Sequence, residues 1–389
     1  SSDQIAIHVA RSLILESLPI LATQLKPGHH PGLMCALKTF DQARAKVVEY
    51  RGHDRAAQFE QERQDALRQI QQLIERDEAA RIALLEGVRG KIEEFQYKRE
   101  SIPFELFQNA DDAVFQQLEI LRFTHKADGR SSDIQPELSR FVVTVENGAL
   151  TFMHWGRPLN ATGDPFPGRD RDYHRDLEKM LIVNASNKEP PATGKFGLGF
   201  KSVFLACQEP QIVSGRLSLR ILGGMLPIQH DDDRDLRRLL REHAPAGGGA
   251  GTGIRLSLDP GSISPLLDRF HRMAGVLCCF AKSIQQIDLG STTYTWSPSR
   301  LEQAPAFGIG SLLVPDLNHK DTMTRIQVMR IDLDNGALLV GLDRSGLRPL
   351  PETIPSLWVL APTAEDAALG VALNGRFDVN AARTSLADR

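Results

Sequence analysis

The sequence predicts an α+β protein, and three observations carry that expectation. Apolar residues recur at helical spacing through most of the first hundred residues. Two β-rich runs, Phe141–Val145 and Leu150–His154, flank Asn147-Gly148, a pairing that favours a tight hairpin. From Gln211 onward short alternating strands dominate, interrupted by a charged helix and one long apolar helix.

Length and composition bound the rest. A chain of 389 residues exceeds a single typical core, so two or three domains are expected. Charged residues make up 24% and hydrophobic ones 41%, ordinary for a globular protein. A net charge of −3 exerts no general pull on nucleic acid or an anionic membrane. No apolar run approaches the roughly 18 residues of a membrane helix, and no signal peptide is visible. Cys35, Cys207, Cys278 and Cys279 lack metal-ligand spacing and read as buried, reduced thiols, which places the chain in a cytoplasmic setting.

Element by element, a first amphipathic helix is predicted over 3–25, ending before Pro27 and Pro31. Between 37 and 97 the set Leu67, Ile70, Leu73, Ile74 and then Ile82, Leu85, Val88, Ile92, Phe95 describes further helices, without strict heptads. A helical bundle and a dimer- or partner-binding arm are both open readings of this region. The next helix begins near Phe104, and the Asn147-Gly148 hairpin follows a loop at Asp128–Ser132. Residues 160–193 are polar and rich in Gly, Pro and Asp, with a helix expected near Arg171–Asn184; they read as a mobile segment. Strands are predicted at Gln211–Ser214 and Leu217–Leu222, a charged helix at Asp231–Arg241, a flexible stretch at Ala246–Ala250 and a strand at Gly251–Leu258. An apolar helix from Leu266 to Phe280 precedes strands at Arg325–Leu333, Ala337–Leu342 and Leu357–Leu360. The division expected is 1–96 helical, 97–260 a ligand-binding domain with a lid at about 157–193, and 261–389 a β-rich domain.

Two stretches carry chemistry. In Phe104–Ala113, Glu105 and Asn109 lie one helical turn apart and Asp112 follows three residues on, so the three share a face. A carboxylate one turn from an amide oxygen suits a metal-bound nucleotide: Asn ligates Mg²⁺ through oxygen, and Glu orients or deprotonates a water. A solvated acidic face is the plainer alternative. In Thr193–Val203 three glycines within six residues open an apolar run that begins at Val203. Such a loop lets the backbone approach a ligand and aims free N–H groups at one point, which suits phosphate. Its spacing is neither that of the P-loop nor that of the dinucleotide fingerprint. A tight helix entry with close packing is the plainer reading here.

Together, E-L-x-Q-N-A-D-D-A (Glu105–Ala113) and then G-K-F-G-x-G-F-K-S-V (Gly194–Val203) resemble the GHKL ATPases, and most closely the sacsin-type branch. The resemblance implies a Bergerat-fold sandwich, with helices on one face of a mixed, largely antiparallel sheet. It also implies a helical region before the sandwich and a transducer-like β-rich domain after it. It implies ATP and Mg²⁺ as cofactors: Asn109 as metal ligand, Glu105 as the residue positioning water, Asp112 on the same helix, and the segment Gly194, Lys195, Phe196, Gly197, Leu198, Gly199, Phe200, Lys201 around the phosphates. His154 and Gly156 stand at the family's D-x-G motif, whose Asp receives the adenine amino group. Here His154 replaces it, and a neutral imidazole can accept one hydrogen bond through its bare nitrogen. Hairpin-end packing is the alternative for His154. Thr252 matches the closing strand's Thr, and Lys188 matches an S-T-K-like segment in the lid. Asn374–Leu386 resembles the segment that follows the ATPase in sacsin repeats. Arg383 is the candidate for the γ-phosphate, with Arg376 in reserve, because a permanent, forked charge spreads over several oxygens. The chain ends soon after Arg383, which reads as a piece of a longer protein.

The expected activity is Mg²⁺-dependent ATP binding and slow hydrolysis that drives a conformational or dimerisation switch. The alternative is a non-hydrolysing, nucleotide-sensing module of a larger protein, of bacterial-defence or nucleic-acid-associated type. ADP, a second copy of the chain, further domains and partner proteins are the expected partners. Net charge lends nucleic acid no support, and no membrane partner is expected.

Overall fold

The computed structural model describes residues 7, 10, 11, 14, 25, 30–127, 136–160, 173–182, 199–246, 250–316, 322–359, 361–363, 369–375 and 377. It is an α+β protein of helices and mixed sheet. Two compact units divide the chain: Ser1–Arg99 with Leu159–Asp235, and Glu100–Pro158 with Leu236–Arg389.

In the first unit three helices follow one another: α1 (Pro31–Glu49), α2 (Ala56–Arg76) and α3 (Glu78–Glu94). Their entry signals are interlocked. His30 Nδ1 accepts the Leu33 N–H at 2.9 Å and so caps α1, while Asp77 Oδ1 accepts from Ala79 and Ala80 and caps α3. Asp77 Oδ2 lies 3.0 Å from His30 Nε2, which ties one cap to the other. The predicted periodicity is borne out in Leu67, Ile70, Ile74, Leu85, Val88 and Ile92, all buried; Ile82 instead faces out. The unit also holds α5 (Asp176–Leu181) and an antiparallel meander of β3 (Gln211–Ser214), β4 (Leu217–Leu222) and β5 (Leu226–Gln229). The turn into β5 presses on α3. Gly223 and Gly224 sit at φ +58° and +76°, and a Cβ on either would meet Leu84 or Val88 at 3.1 Å.

The second unit contains α4 (Ile102–Ala127), the hairpin β1 (Arg140–Glu146) and β2 (Ala149–His154), α6 (Arg234–Glu242, from Leu236 on), β6 (Thr252–Ser257), α7 (Pro260–Phe280), β7 (Gln286–Leu289) and β8 (Thr292–Thr295). Asn147 and Gly148 take φ of 51° and 71°, the two left-handed positions that an Asn-Gly hairpin turn requires. Within this unit the strands run β6-β2-β1-β7-β8. All neighbours are antiparallel except β1 and β7. One face carries Phe141, which packs edge-on with Phe107 of α4 and with Phe270 of α7 at ring separations of 5.4 and 6.2 Å. Asp111, on the same inward side of α4 as Phe107, anchors the segment after α7: its carboxylate accepts the Lys282, Ser283 and Ile284 backbone N–H groups at 2.8–2.9 Å. A second sheet is ordered β15-β14-β16-β12-β11-β10-β9, from β9 (Ser299–Leu301) through β10 (Ala304–Pro315), β11 (Met323–Leu333), β12 (Gly336–Asp343) with β13 (Gly346–Arg348) paired antiparallel to it, β14 (Leu357–Val359), β15 (Ala361–Pro362) and β16 (Val371–Gly375). Helix α7 meets it so closely that a Cβ on Gly275 would lie 2.3 Å from Leu313 O.

Candidate functional site

Cross-strand register places two predicted site residues side by side. His154 pairs with Thr252 on β6 and with Phe141 on β1. Directly opposed residues point to one face of a sheet, so His154, Thr252 and Phe141 form a row on the side where α4 and α7 pack. Both polar members are buried, His154 at 8% and Thr252 at 4% exposure.

Immediately after β2 the chain turns against α4. The Arg157 N–H donates to Ala113 O at 2.9 Å, and Arg157 Nε donates to Gln116 Oε1 at 2.8 Å. Gly156 makes this approach possible, because a Cβ there would lie 2.4 Å from both Ala113 C and Val114 N. The side of α4 that meets the 154–157 segment is thus marked by Ala113 and Gln116. Continuing that stripe toward the helix N-terminus by one turn and then two reaches Asn109 and Glu105. Asn109 is exposed, whereas Glu105 is buried at 6% exposure. Asp112, on the flank of the stripe, pairs with Lys282 Nζ at 2.6 Å, so its carboxylate is committed to an ion pair.

The protonation of His154 follows from its contacts. The Gly156 N–H donates to His154 Nδ1 at 3.2 Å. That nitrogen must be the bare one, and the neutral ring then carries its proton on Nε2. Burial pushes the imidazole's pKa down to about 4, so the ring is uncharged near neutrality. The expected acceptor for an adenine amino group is therefore already used by the protein's own backbone.

In the first unit the segment after the Gly-rich loop departs from expectation. Phe200–Leu205 is a 3₁₀ helix of 6 residues rather than the start of an α-helix, so it offers little helix dipole to an anion. Gly199 has helical φ and ψ, and its carbonyl accepts from Ser202 N and Oγ at 3.2 and 2.7 Å. Phe200 is buried and meets Phe204 edge-on. Lys201, expected beside phosphate, is 0% exposed and donates to Met180 O at 3.0 Å and Ile182 O at 2.6 Å. The ammonium satisfies carbonyls at the C-terminal end of α5, where a cation is favoured. Burial lowers its pKa to about 7. Lys188, Gly194, Lys195, Phe196, Gly197, Leu198 and Arg383, with the reserve Arg376, lie outside the described residues.

Sequence reasoning missed Asp111 and Arg157. Asp111 sat in plain view between Ala110 and Asp112. Only its position on the apolar side with Phe107 and Val114 marked it as the inward member of the acidic pair. Arg157 gave no periodic signal at all.

Among the described residues no group of three His, Cys, Asp or Glu side chains could hold a metal ion, and no helix is long and apolar enough to cross a membrane. No protein-family model matches the chain, and a search of curated proteins returns no match.

Proposed function

We propose that the chain binds a purine nucleoside triphosphate with Mg²⁺, ATP in the reading that the resemblance implies, and hydrolyses it slowly to drive a conformational or dimerisation switch. One observation carries the reading: Glu105 and Asn109 continue the stripe of α4 that meets the His154–Arg157 segment, with Thr252 beside His154. The four residues, of types suited to one ligand, lie up to 147 positions apart in sequence.

The fit to the metal is chemical. Mg²⁺ keeps several waters and takes few protein ligands when it arrives with phosphates, so a lone exposed carboxamide at Asn109 suffices on the protein side. When bound, the metal supplies charge neutralisation on the phosphate oxygens. Glu105 orients a water and takes its proton as the water oxygen bonds to the terminal phosphorus; the bond from that phosphorus to the nucleoside diphosphate breaks, and inorganic phosphate leaves.

A second reading, a nucleotide-sensing module without turnover, draws on the burial of Glu105. A carboxylate withdrawn from solvent is out of reach of bulk water unless the site opens. Phosphate release from Mg²⁺-ATP, and from Mg²⁺-ITP in parallel, separates the two readings. Hydrolysis requires turnover by the native chain and a loss of about 10²-fold or more in Glu105→Ala, the scale of general base catalysis. Binding with no turnover in either protein supports the sensor.

A further inference from the structure

We propose that the outer face of the second sheet is a self-association surface, on which a second copy of this chain stacks face to face. The proposal is independent of nucleotide binding.

Strand register lays the face out. Ile309, Met329, Val340 and Val371 stand opposite one another across β10, β11, β12 and β16. Two residues along, Phe307, Ile331, Leu338 and Leu373 form the next row, which Leu357 of β14 extends. Directly opposed residues share a face of the sheet, so these two rows make one apolar surface. Leu333, two residues beyond Ile331, continues it and is 49% exposed.

The alternate residues point the other way, toward α7. Arg330 donates to Cys279 O, and Trp358 packs on Phe280 at a ring separation of 5.4 Å. That inner face is closed, with Val328, Leu339 and Ala372 all 0% exposed. On the outer face every member of the two rows except Val340 is half-exposed. This is what an uncovered sheet gives. Each side chain stands on about 32 Å² of plane, the product of a strand spacing of about 4.8 Å and two residues of rise, and its neighbours shield the rest.

Area and charge both fit a second copy. Five strands and four rows amount to about 600 Å², so two stacked faces bury about 1,200 Å² in total, above the roughly 1,000 Å² that a specific interface needs. Sheets stacked about 10 Å apart interdigitate side chains of this size. A two-fold contact sets a patch against itself, so any charge on it would meet its own copy. From the row of Ser311, Gln327 and Leu342 to Leu333, the outer face carries no ionisable side chain. Arg325 lies one row beyond, at the rim, and donates to Ser311 Oγ at 3.1 Å. An apolar centre with a polar rim is the anatomy of a protein interface.

The test follows the native chain by sedimentation equilibrium through the micromolar range, without nucleotide. A dimer is expected, and Ile331→Lys is expected to weaken it by about 30-fold or more, the scale of a central interface residue. Ile82→Lys, which replaces a side chain 45% exposed on α3, should leave the dimer unchanged. Urea unfolding of each variant checks the fold. Should Ile331→Lys be unstable, methyl NMR of the native chain decides, with the Ile309 and Ile331 signals expected to shift on dilution while Ile82 stays in place. A monomer at every concentration, a dimer that Ile331→Lys leaves intact, or dilution shifts that spare Ile309 and Ile331 overturns the proposal. A monomer that cosediments with phosphatidylcholine vesicles, and is released from them by Ile331→Lys, also overturns it and assigns the face to a lipid surface. Because no nucleotide is present, none of these results bears on the nucleotide reading.

Discussion

Gly156→Ala perturbs a tight helix-to-segment contact within the second unit. The added methyl would sit 2.4 Å from Ala113 C and Val114 N, both backbone atoms in the middle of α4. Neither can yield as the end of a flexible side chain would. The 154–157 segment must therefore lift away from the helix, and the 2.9 Å Arg157 N–H bond to Ala113 O is stretched or broken. Overpacking of this kind costs about 1–3 kcal/mol and the lost bond about 1 kcal/mol more, so a destabilisation of about 2–4 kcal/mol is expected. Urea unfolding reads it as a lower midpoint at constant slope. The control is Gly261→Ala in the first turn of α7, where a Cβ meets nothing within 4 Å; that variant should be neutral or slightly more stable. A Gly156→Ala protein within about 0.5 kcal/mol of the native chain would refute the close approach and the fixed placement of His154 that depends on it.

Two further outcomes concern charge and turnover. With a folded pKa lowered to about 7 against an ordinary 10.5, Lys201 binds its proton less readily in the fold than in the unfolded chain. Its contribution to stability thus rises with pH between about 7 and 10.5 and is least below 7, and Lys201→Met should flatten that slope in pH-dependent urea unfolding. In the phosphate-release assay Glu105→Ala should bind nucleotide as the native chain does and lose turnover by about 10²-fold or more.

The sequence was most informative where a residue type dictates backbone geometry or a period. Asn147 and Gly148 both take the left-handed conformation, so the hairpin and its register were legible. The strands Gln211–Ser214 and Leu217–Leu222 fall where alternation put them. Pairing between distant strands was not legible. The parallel match of Arg140–Val143 with Gln286–Leu289 joins segments on either side of the expected domain boundary at 261, and alternation reveals a strand's faces without naming its partner. The 3₁₀ form of Phe200–Leu205 escaped for a related reason, since a short apolar run has no period long enough to separate it from an α-helix. At the site, residue types pointed to Glu105, Asn109, His154 and Thr252. What they could not indicate was the state of each group: Nδ1 of His154 already bonded to Gly156, Asp112 paired with Lys282, and Lys201 turned to the end of α5. The first is a local backbone contact two residues on, whereas the other two depend on groups brought in by tertiary contacts.

Nucleotide binding itself is the claim on which the rest depends. Calorimetric titration of Mg²⁺-ATP, Mg²⁺-ITP and Mg²⁺-GTP into the native chain and into Asn109→Ala tests it most directly. The account predicts saturable binding of a purine triphosphate to the native chain that weakens when Mg²⁺ is withheld, and a loss of that Mg²⁺ dependence in Asn109→Ala. Absence of binding by every nucleotide, or binding indifferent to both Mg²⁺ and Asn109, would contradict it.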